Sequence, residues 1–464
     1  MKNALVLTSI LLATLAAPSA RADQVKFIGH GSQAFSAFTS LIDGARKSVD
    51  MVTFIFEPCD PSSQAILDSL KRASARGVKV RITLDGIGYS PEEKAQFTNM
   101  LGRQGAQVRF YNSNYLMTLA LNMRVHEKLM VIDGDRYIAG GRNISDEYFG
   151  MSGKQNWVDS DVVVQGRSAA QAVASFENIW SSPLNANPTP QPGAEKPWGD
   201  FCGAKFSAPA NARAKNFLAT KSAQIMAAIP ERSCDEVDFV SDKNDFGDAT
   251  YADGVSVLPD ATPGDGYMSK QRLARKNTAG NMIAFVNGAR SRLDVTNYFY
   301  APVGKEQDAF NAARNRRIAI DVITNQDMDD GPQTFRQAEE YVLQTTQARE
   351  STGSMKIVAV SSKGGLRDPN ELSPKSAHWL LHSKLMVRDS KDTLVGSYNL
   401  DSRSYNTNLE SYVVAHDCPL LAGDAAVEAD FVRKVQATDK GRVPPKGNPS
   451  AAAQFFATLN AVLF

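Results

Sequence analysis

The sequence predicts an α/β fold assembled from two similar halves, and three observations carry that prediction. The stretch LIDGARKSVDMVTFIFEP at 41–58 is matched by FVNGARSRLDVTNYFYAP at 285–302. The stretch HEKLMVIDGDRYIAGGRN at 126–143 is matched by HSKLMVRDSKDTLVGSYN at 382–399. Between the members of each pair, helix-period and strand-period segments follow in the order strand, helix, strand. That order implies parallel pairing, with helices covering the sheet. Each half is therefore expected to be an α/β/α layer structure around a mixed, largely parallel sheet.

The elements follow in order. In the first half, 41–46 reads as the end of an amphipathic helix, and Asp50 precedes an alternating strand. A helix pattern spans 62–76, and VKVRITLDG at 78–86 is an apolar, β-branched strand. The strand LMVID and its partner YIAGG come next, then WVDSDVVVQG. The second half repeats the series. Asp294 precedes a strand, a helix pattern spans 305–316, and IAIDVITNQ at 318–326 leads to LMVRD, TLVGS and NLESYVVA. Residues 181–200 carry five prolines and read as a connector. Residues 241–268 are polar and rich in Gly and Asp, a surface loop. The stretch 451–464 reads as a short amphipathic helix packed on the protein. The expected divisions are a signal segment at 1–22, a first half at 23–185, a linker and inserted loop at 186–268, and a second half at 269–464.

Lys2, the apolar run 4–17 and Ala20-Arg21-Ala22 have the form of a cleavable signal peptide. No cysteine adjoins the cut and no later segment is long enough to span a bilayer. The expectation is export, to a periplasmic or secreted location, with only peripheral membrane contact. Without Lys2 and Arg21, 49 basic residues face 50 acidic ones, a net charge of about −1. That balance argues against general nucleic-acid binding, which rests on a basic face. Four cysteines in an exported chain permit two disulfides. Cys202 with Cys234, which flank one inserted region, and Cys59 with Cys418 are the first expectation; buried free thiols are the alternative. No C-x-x-C or His/Cys cluster suggests zinc.

The longer repeat carries the chemistry. His126, Lys128, Asp133, Gly140 and Asn143 stand at the same offsets as His382, Lys384, Asp389, Gly396 and Asn399. Two such sets facing each other can hold one phosphate-sized anion. Cleaving a phosphodiester requires neutralising its oxygens, presenting a nucleophile in line and protonating the departing alkoxide. Lys128, Lys384, Asn143 and Asn399 can serve the first need, so no metal or cofactor is required. One histidine can attack phosphorus and the other can give and take the proton. Gly140, Gly141 and Gly396 are expected to allow close backbone approach beneath the phosphate. Ser397 replaces the second glycine and either donates to the phosphate or caps a turn. Of five histidines, His30, His378 and His416 lack a repeat partner and read as structural or surface residues. Trp157, Tyr398 and the pair His378-Trp379 lie beside the candidates and either line the site or pack.

The repeated H-x-K-x4-D-x6-G-[GS]-x-N resembles the signature of the phospholipase D superfamily. Its continuations GGRNISDEYFG and GSYNLDSRSYNTNLE look like the bacterial branch that includes cardiolipin synthases. The resemblance covers most of 30–185 and 270–430. It implies that the halves pack as a pseudo-twofold phospholipase D-like pseudo-dimer. It implies His126 as nucleophile and His382 as general acid/base. In the family each histidine is oriented by a carboxylate from a strand after the other motif. Here Asp161 would orient His382 and Glu410 would orient His126, with Asp159 competing for the place of Asp161. The family's motif aspartates, here Asp133 and Asp389, tie the motif strand to its surroundings, and Asp146, Glu147 and Tyr148 would support the site. The resemblance thus implies a phosphodiesterase or phosphatidyltransferase acting on phospholipids; with the signal segment and two motifs in one chain, the expectation is an exported enzyme that is a monomer. The competing expectations are a nuclease of the same superfamily and a non-catalytic lipid- or protein-binding module.

Overall fold

The computed structural model describes residues 22–102, 105–113, 124–187, 196–243, 276–325, 355–360 and 378–436. The expected signal segment up to residue 21, most of the 241–268 loop and the 451–464 helix lie outside them.

The first half runs β1 (Asp23–Ile28), α1 (Gly31–Gly44), β2 (Ser48–Thr53), α2 (Pro61–Ala75), β3 (Lys79–Asp85), α3 (Pro91–Gly102) and β4 (Gln107–Tyr111). It continues through β5 (Leu129–Ile132), β6 (Arg136–Gly140), β7 (Gln155–Val158), β8 (Asp161–Gln165), α4 (Ala169–Trp180) and β9 (Asn185–Ala186). The chain then forms α5 (Trp198–Cys202), α6 (Ala208–Ala228), β10 (Arg232–Cys234) and β11 (Glu236–Ser241). The second half contains α7 (Asn277–Asn287), β12 (Arg292–Asn297), α8 (Gly304–Asn315), β13 (Ala319–Asn325) and β14 (Met355–Val360). It closes with β15 (His378–Leu381), β16 (Lys384–Arg388), β17 (Asp392–Gly396), α9 (Ser402–Asn406), β18 (Ser411–His416) and α10 (Pro419–Gln436).

One sheet has the order β10-β1-β8-β6-β5-β2-β3-β4-β9, and the other β11-β18-β17-β16-β12-β13-β14. Both are mixed. The strand–helix–strand units β2–β3–β4 and β12–β13–β14 pair in parallel, whereas the motif hairpins β5–β6 and β16–β17 are antiparallel. The helices form because apolar positions recur at helical spacing: α1 buries Ala34, Phe35, Phe38 and Ile42. His30 and Gln33 form a capping box at its start. Its end is held by Arg76, whose guanidinium donates to the carbonyls of Ile42, Asp43 and Ala45. Arg316 does the same for α7 through Asn287 and Ala289.

The sheets meet face to face. Val25, Phe27, Leu129, Val131 and Val164 of the first share one buried cluster with Leu385, Val387, Val395 and Val413 of the second. Each such side chain, removed from water, contributes about 1.5–3 kcal/mol before entropy is counted. Two short parallel contacts stitch the seam. β7 pairs with β15, aligning Val158 with Leu381, and Val125 bridges Leu409 in the matching place. The segment between the halves is built into the fold. α6 packs across α1 and α2, β10 extends the first sheet beside β1, and β11 extends the second beside β18.

The expected cysteine pairing is corrected. Cys59 bonds Cys202 and Cys234 bonds Cys418, with Cα separations of 5.5 and 5.4 Å. The strand register explains the second bond. β11 and β18 are antiparallel with Glu236 opposite His416, so Cys234 and Cys418 fall opposite each other two residues further along. That placement removes Cys234 from Cys202, which instead meets Cys59 just before α2.

Candidate active site

The two motifs lie on either side of the seam between the sheets. A carboxamide or carboxylate at the end of an inner strand sets the entry to each. Asp85, ending β3, accepts from the Val125 amide at 2.8 Å and pairs with Arg124 at 2.9 Å. Asn325, ending β13, accepts from the Leu381 amide at 3.0 Å and donates to its carbonyl at 2.6 Å. The histidines follow at once. The His126 amide donates to Leu409 O at 2.9 Å and the His382 amide to Val158 O at 2.7 Å. Both main chains therefore cross to the opposite half where the imidazoles begin.

The side chains cross as well. His126 Nδ1 lies 2.9 Å from both oxygens of Glu410, and His382 Nδ1 lies 2.5 Å from Asp159 Oδ2. Glu410 is where the family resemblance placed it. For His382 the expectation of Asp161 is corrected to Asp159. Asp161 sits opposite Gly140 in β8 and turns to Arg142, accepting from its Nη1 at 2.5 Å. Arg142 is 1% exposed and also donates to the carbonyls of Ile28, Gly29 and Asp159. Asp161 thus neutralises a buried guanidinium beneath the carboxylate that holds His382.

Burial governs the electrostatics. His126 and His382 are 8% and 7% exposed. Desolvation pushes both imidazoles below their usual range, with Lys384 and Lys128 adding to the effect at His382 and Glu410 opposing it at His126. Each lysine acts across the seam on the other half's histidine, so the two sets share one electrostatic environment. Lys128 is lowered to about 7 and Lys384 to about 8, again chiefly by desolvation. Burial also raises Asp159, to about 6, despite the charges of Lys384 and Arg142. At Glu410 burial is overcome by His126, Lys128 and Ser397, which hold the carboxyl down to about 2. Ser397, Ser404 and Asn408 all donate to it, so it is the more firmly ionised of the two.

The remaining candidates fall as follows. Lys128 Nζ donates to His126 O at 2.8 Å and lies 5.2 Å from the centre of the Phe54 ring. Lys384 Nζ donates to His382 O, lies 2.9 Å from its Nδ1 and stands 5.2 Å from the Tyr298 ring. Phe54 and Tyr298 occupy the same place in the upstream repeat. Asn143 accepts from the Ile55 amide and donates to the Tyr148 hydroxyl at 2.8 Å, while Asn399 Oδ1 is buried without a hydrogen-bond partner. Asp133 accepts from the amides of Arg46, Lys47 and Ser48, and Asp389 from those of Arg290, Ser291 and Arg292. Those amide bonds overcome desolvation and depress both carboxyls, Asp389 to about 2.

Two expectations about small residues change. Gly140, Gly141 and Gly396 do make close approaches, but to neighbouring strands. A Cβ would strike Ser160 and Asp161 at Gly140, Asp159 at Gly141, and Ser411 with Tyr412 at Gly396. Ser397 Oγ donates to Glu410 and to Ser411 O. It serves the carboxylate that holds His126. Asp85, Asn325 and Arg142 were not singled out from sequence. The first two hold the same place in the repeated strands 78–86 and 318–326, the signal that marks them. Arg142 has no such signal, since Tyr398 stands in its place.

The comparisons with known proteins accord with this geometry. A family model described as "Cardiolipin synthase, PLD-like domain" matches residues 38–180 and 282–426. A Helicobacter pylori protein described as uncharacterized is 26% identical over 404 residues, covering 81% of this chain and 72% of its own. A cardiolipin synthase of Listeria welshimeri is 32% identical over 168 residues, 36% of this chain and 34% of that one. Phosphatidylserine synthase of Haemophilus influenzae superposes with a TM-score of 0.60 at 12% identity, over 93% of this chain and 92% of that one, a likeness of fold. With both repeats matched across more than half its length, the chain belongs to the phospholipase D-like family that this cardiolipin synthase model describes.

Proposed function

We propose that the protein is a phospholipid phosphodiesterase and phosphatidyltransferase that works through a phosphohistidine. The observation that carries this reading is the reciprocal clamp: each imidazole gives its Nδ1 to a carboxylate of the other half. With Nδ1–H donating, Nε2 carries the lone pair. His126 Nε2 attacks phosphorus, the bond from phosphorus to the departing oxygen breaks, and protonated His382 delivers the proton to that oxygen. His382 then takes a proton from water or a lipid hydroxyl, whose oxygen attacks phosphorus as the phosphorus–nitrogen bond breaks. Water yields phosphatidic acid, and a lipid hydroxyl yields a transferred phosphatidyl group.

Burial depresses Lys128, Lys384 and His382, and an entering phosphate anion favours their charged forms, while burial leaves His126 the Nε2 lone pair that attacks. The names of the Listeria and Haemophilus proteins support phospholipids as the substrate class. Among the described residues no helix is long and apolar enough to cross a membrane. The 1–22 segment and the two disulfides support a proposed location outside the cytoplasm, and the presence of both motifs in one chain supports a proposed monomer that meets its lipid substrate peripherally.

Turnover of head-group-labelled phospholipid tests the proposal, with plasmid DNA as the competing substrate. Both His126→Ala and His382→Ala are expected to lose roughly 10⁴-fold or more of turnover while remaining folded. Substantial activity in either variant, or DNA cleavage without lipid turnover, refutes the reading. Products from mixed phosphatidylethanolamine and phosphatidylglycerol, read by mass spectrometry, separate hydrolysis from transfer.

A further inference from the structure

The pseudo-twofold arrangement raises a question of direction, which rests on the phosphohistidine reading. In-line displacement places nucleophile and leaving group on opposite sides of phosphorus. Two nearly equivalent His–Lys sets can run it either way, with His126 or His382 attacking. A difference between the halves must choose, and the residues five positions beyond the motif asparagines differ: Tyr148 in one, Ser404 in the other.

The two side chains do different things. Ser404 Oγ donates to Glu410 Oε1 at 2.8 Å, reinforcing the carboxylate that holds His126. Tyr148 reaches across the seam, and its hydroxyl lies 3.4 Å from His382 Nε2, beside Lys384 Nζ at 3.2 Å, while accepting from Asn143 Nδ2 at 2.8 Å. The Tyr148 ring stands edge-on to the His382 imidazole at 5.0 Å, and Trp157 stacks on Tyr148 at 6.0 Å. Trp157 and Tyr298 also face that imidazole, at 5.4 and 4.9 Å. Among the described residues the aromatic ring against His126 is Phe54, at 5.1 Å.

We propose that Tyr148 sets the direction of the reaction, by covering Nε2 of His382 with its hydroxyl and so confining attack on phosphorus to His126. A phenol that donates to the Nε2 lone pair withdraws it from nucleophilic use. Once His382 is protonated that lone pair is gone and the same hydroxyl can accept from Nε2–H, so the imidazole is left to the proton-transfer role. Tyr148 is a positioning residue in this scheme, because it acts through His382.

Tyr148→Phe keeps the ring stack and removes only the hydroxyl. The full chain, turning over phosphorus-labelled phospholipid, is quenched in alkaline denaturant, and the labelled peptide is located by mass spectrometry. Wild type is expected to carry label on His126 alone, and Tyr148→Phe on both His126 and His382. Label confined to His126 in Tyr148→Phe overturns the proposal, whatever the rate. Absence of any histidine adduct in wild type sinks the phosphohistidine reading itself, and this inference with it.

Discussion

Asp159 and Asp161 stand two residues apart on one strand, and their different work shows how finely the site is divided. Asp159 meets His382, and Asp161 meets the buried Arg142. Asp159→Asn should therefore lower kcat by about 10²–10⁴-fold with the urea midpoint nearly unchanged, because the tautomer of His382 is no longer set. Asp161→Asn should instead cost about 3–5 kcal/mol of stability, because it strands a buried guanidinium. Equal effects on rate and stability in both variants would contradict this division. The choice was legible in the sequence. Val-Asp-Ser-Asp-Val-Val at 158–163 aligns with Leu-Glu-Ser-Tyr-Val-Val at 409–414, placing Asp159 with Glu410 and Asp161 with Tyr412. Arg142 was not legible, because its role comes from carbonyls of Ile28 and Gly29, more than a hundred residues away. The lysines allow a second test at this scale. In the empty site Lys128 and Lys384 are lowered to about 7 and about 8, and a bound anion raises both. Binding of sulfate, whose charge is constant here, should therefore take up protons. Its affinity should be greatest below about pH 7 and fall as pH rises through about 8, where the lysines of the empty site are neutral. Calorimetric titration in buffers of differing ionisation heat measures both, and an affinity independent of pH would contradict the electrostatic account.

The elements are positioned by contacts that tolerate little. Gly396 ends β17 where β18 passes so close that a Cβ would overlap Ser411 O and Tyr412. Gly396→Ala should cost about 1–3 kcal/mol and shift Glu410, which lies immediately before that strand. Chemical denaturation measures the first effect, and an unchanged midpoint would contradict the reading of this contact. Strands and helices were well foreshadowed. The 62–76 pattern became Pro61–Ala75, and the 305–316 pattern became Gly304–Asn315. Periodicity reports which face of an element is buried: the second of these helices buries one face through Glu306, Ala309, Phe310 and Ala313, whereas the first is covered all round from Ser62 to Leu67. It does not report what a small residue touches. Ser397 was therefore read as a phosphate donor or turn cap, and its hydroxyl instead bonds Glu410, thirteen residues along the chain.

At the scale of the molecule, the halves depend on each other for their chemistry. Glu410 comes to His126 across 284 residues of sequence, and Asp159 to His382 across 223. The repeat itself was plain in the sequence, because offsets are preserved whatever the packing. The disulfide partners were not, because cross-strand pairing follows the register of β11 on β18, which composition does not encode. The central claim is that residues 126–143 and 382–399 make one anion site between them. Calorimetric titration with vanadate tests it most directly. One vanadate should bind per chain, and His126→Ala and His382→Ala should each abolish that same binding event. Two vanadates per chain, each lost in only one of the variants, would contradict it.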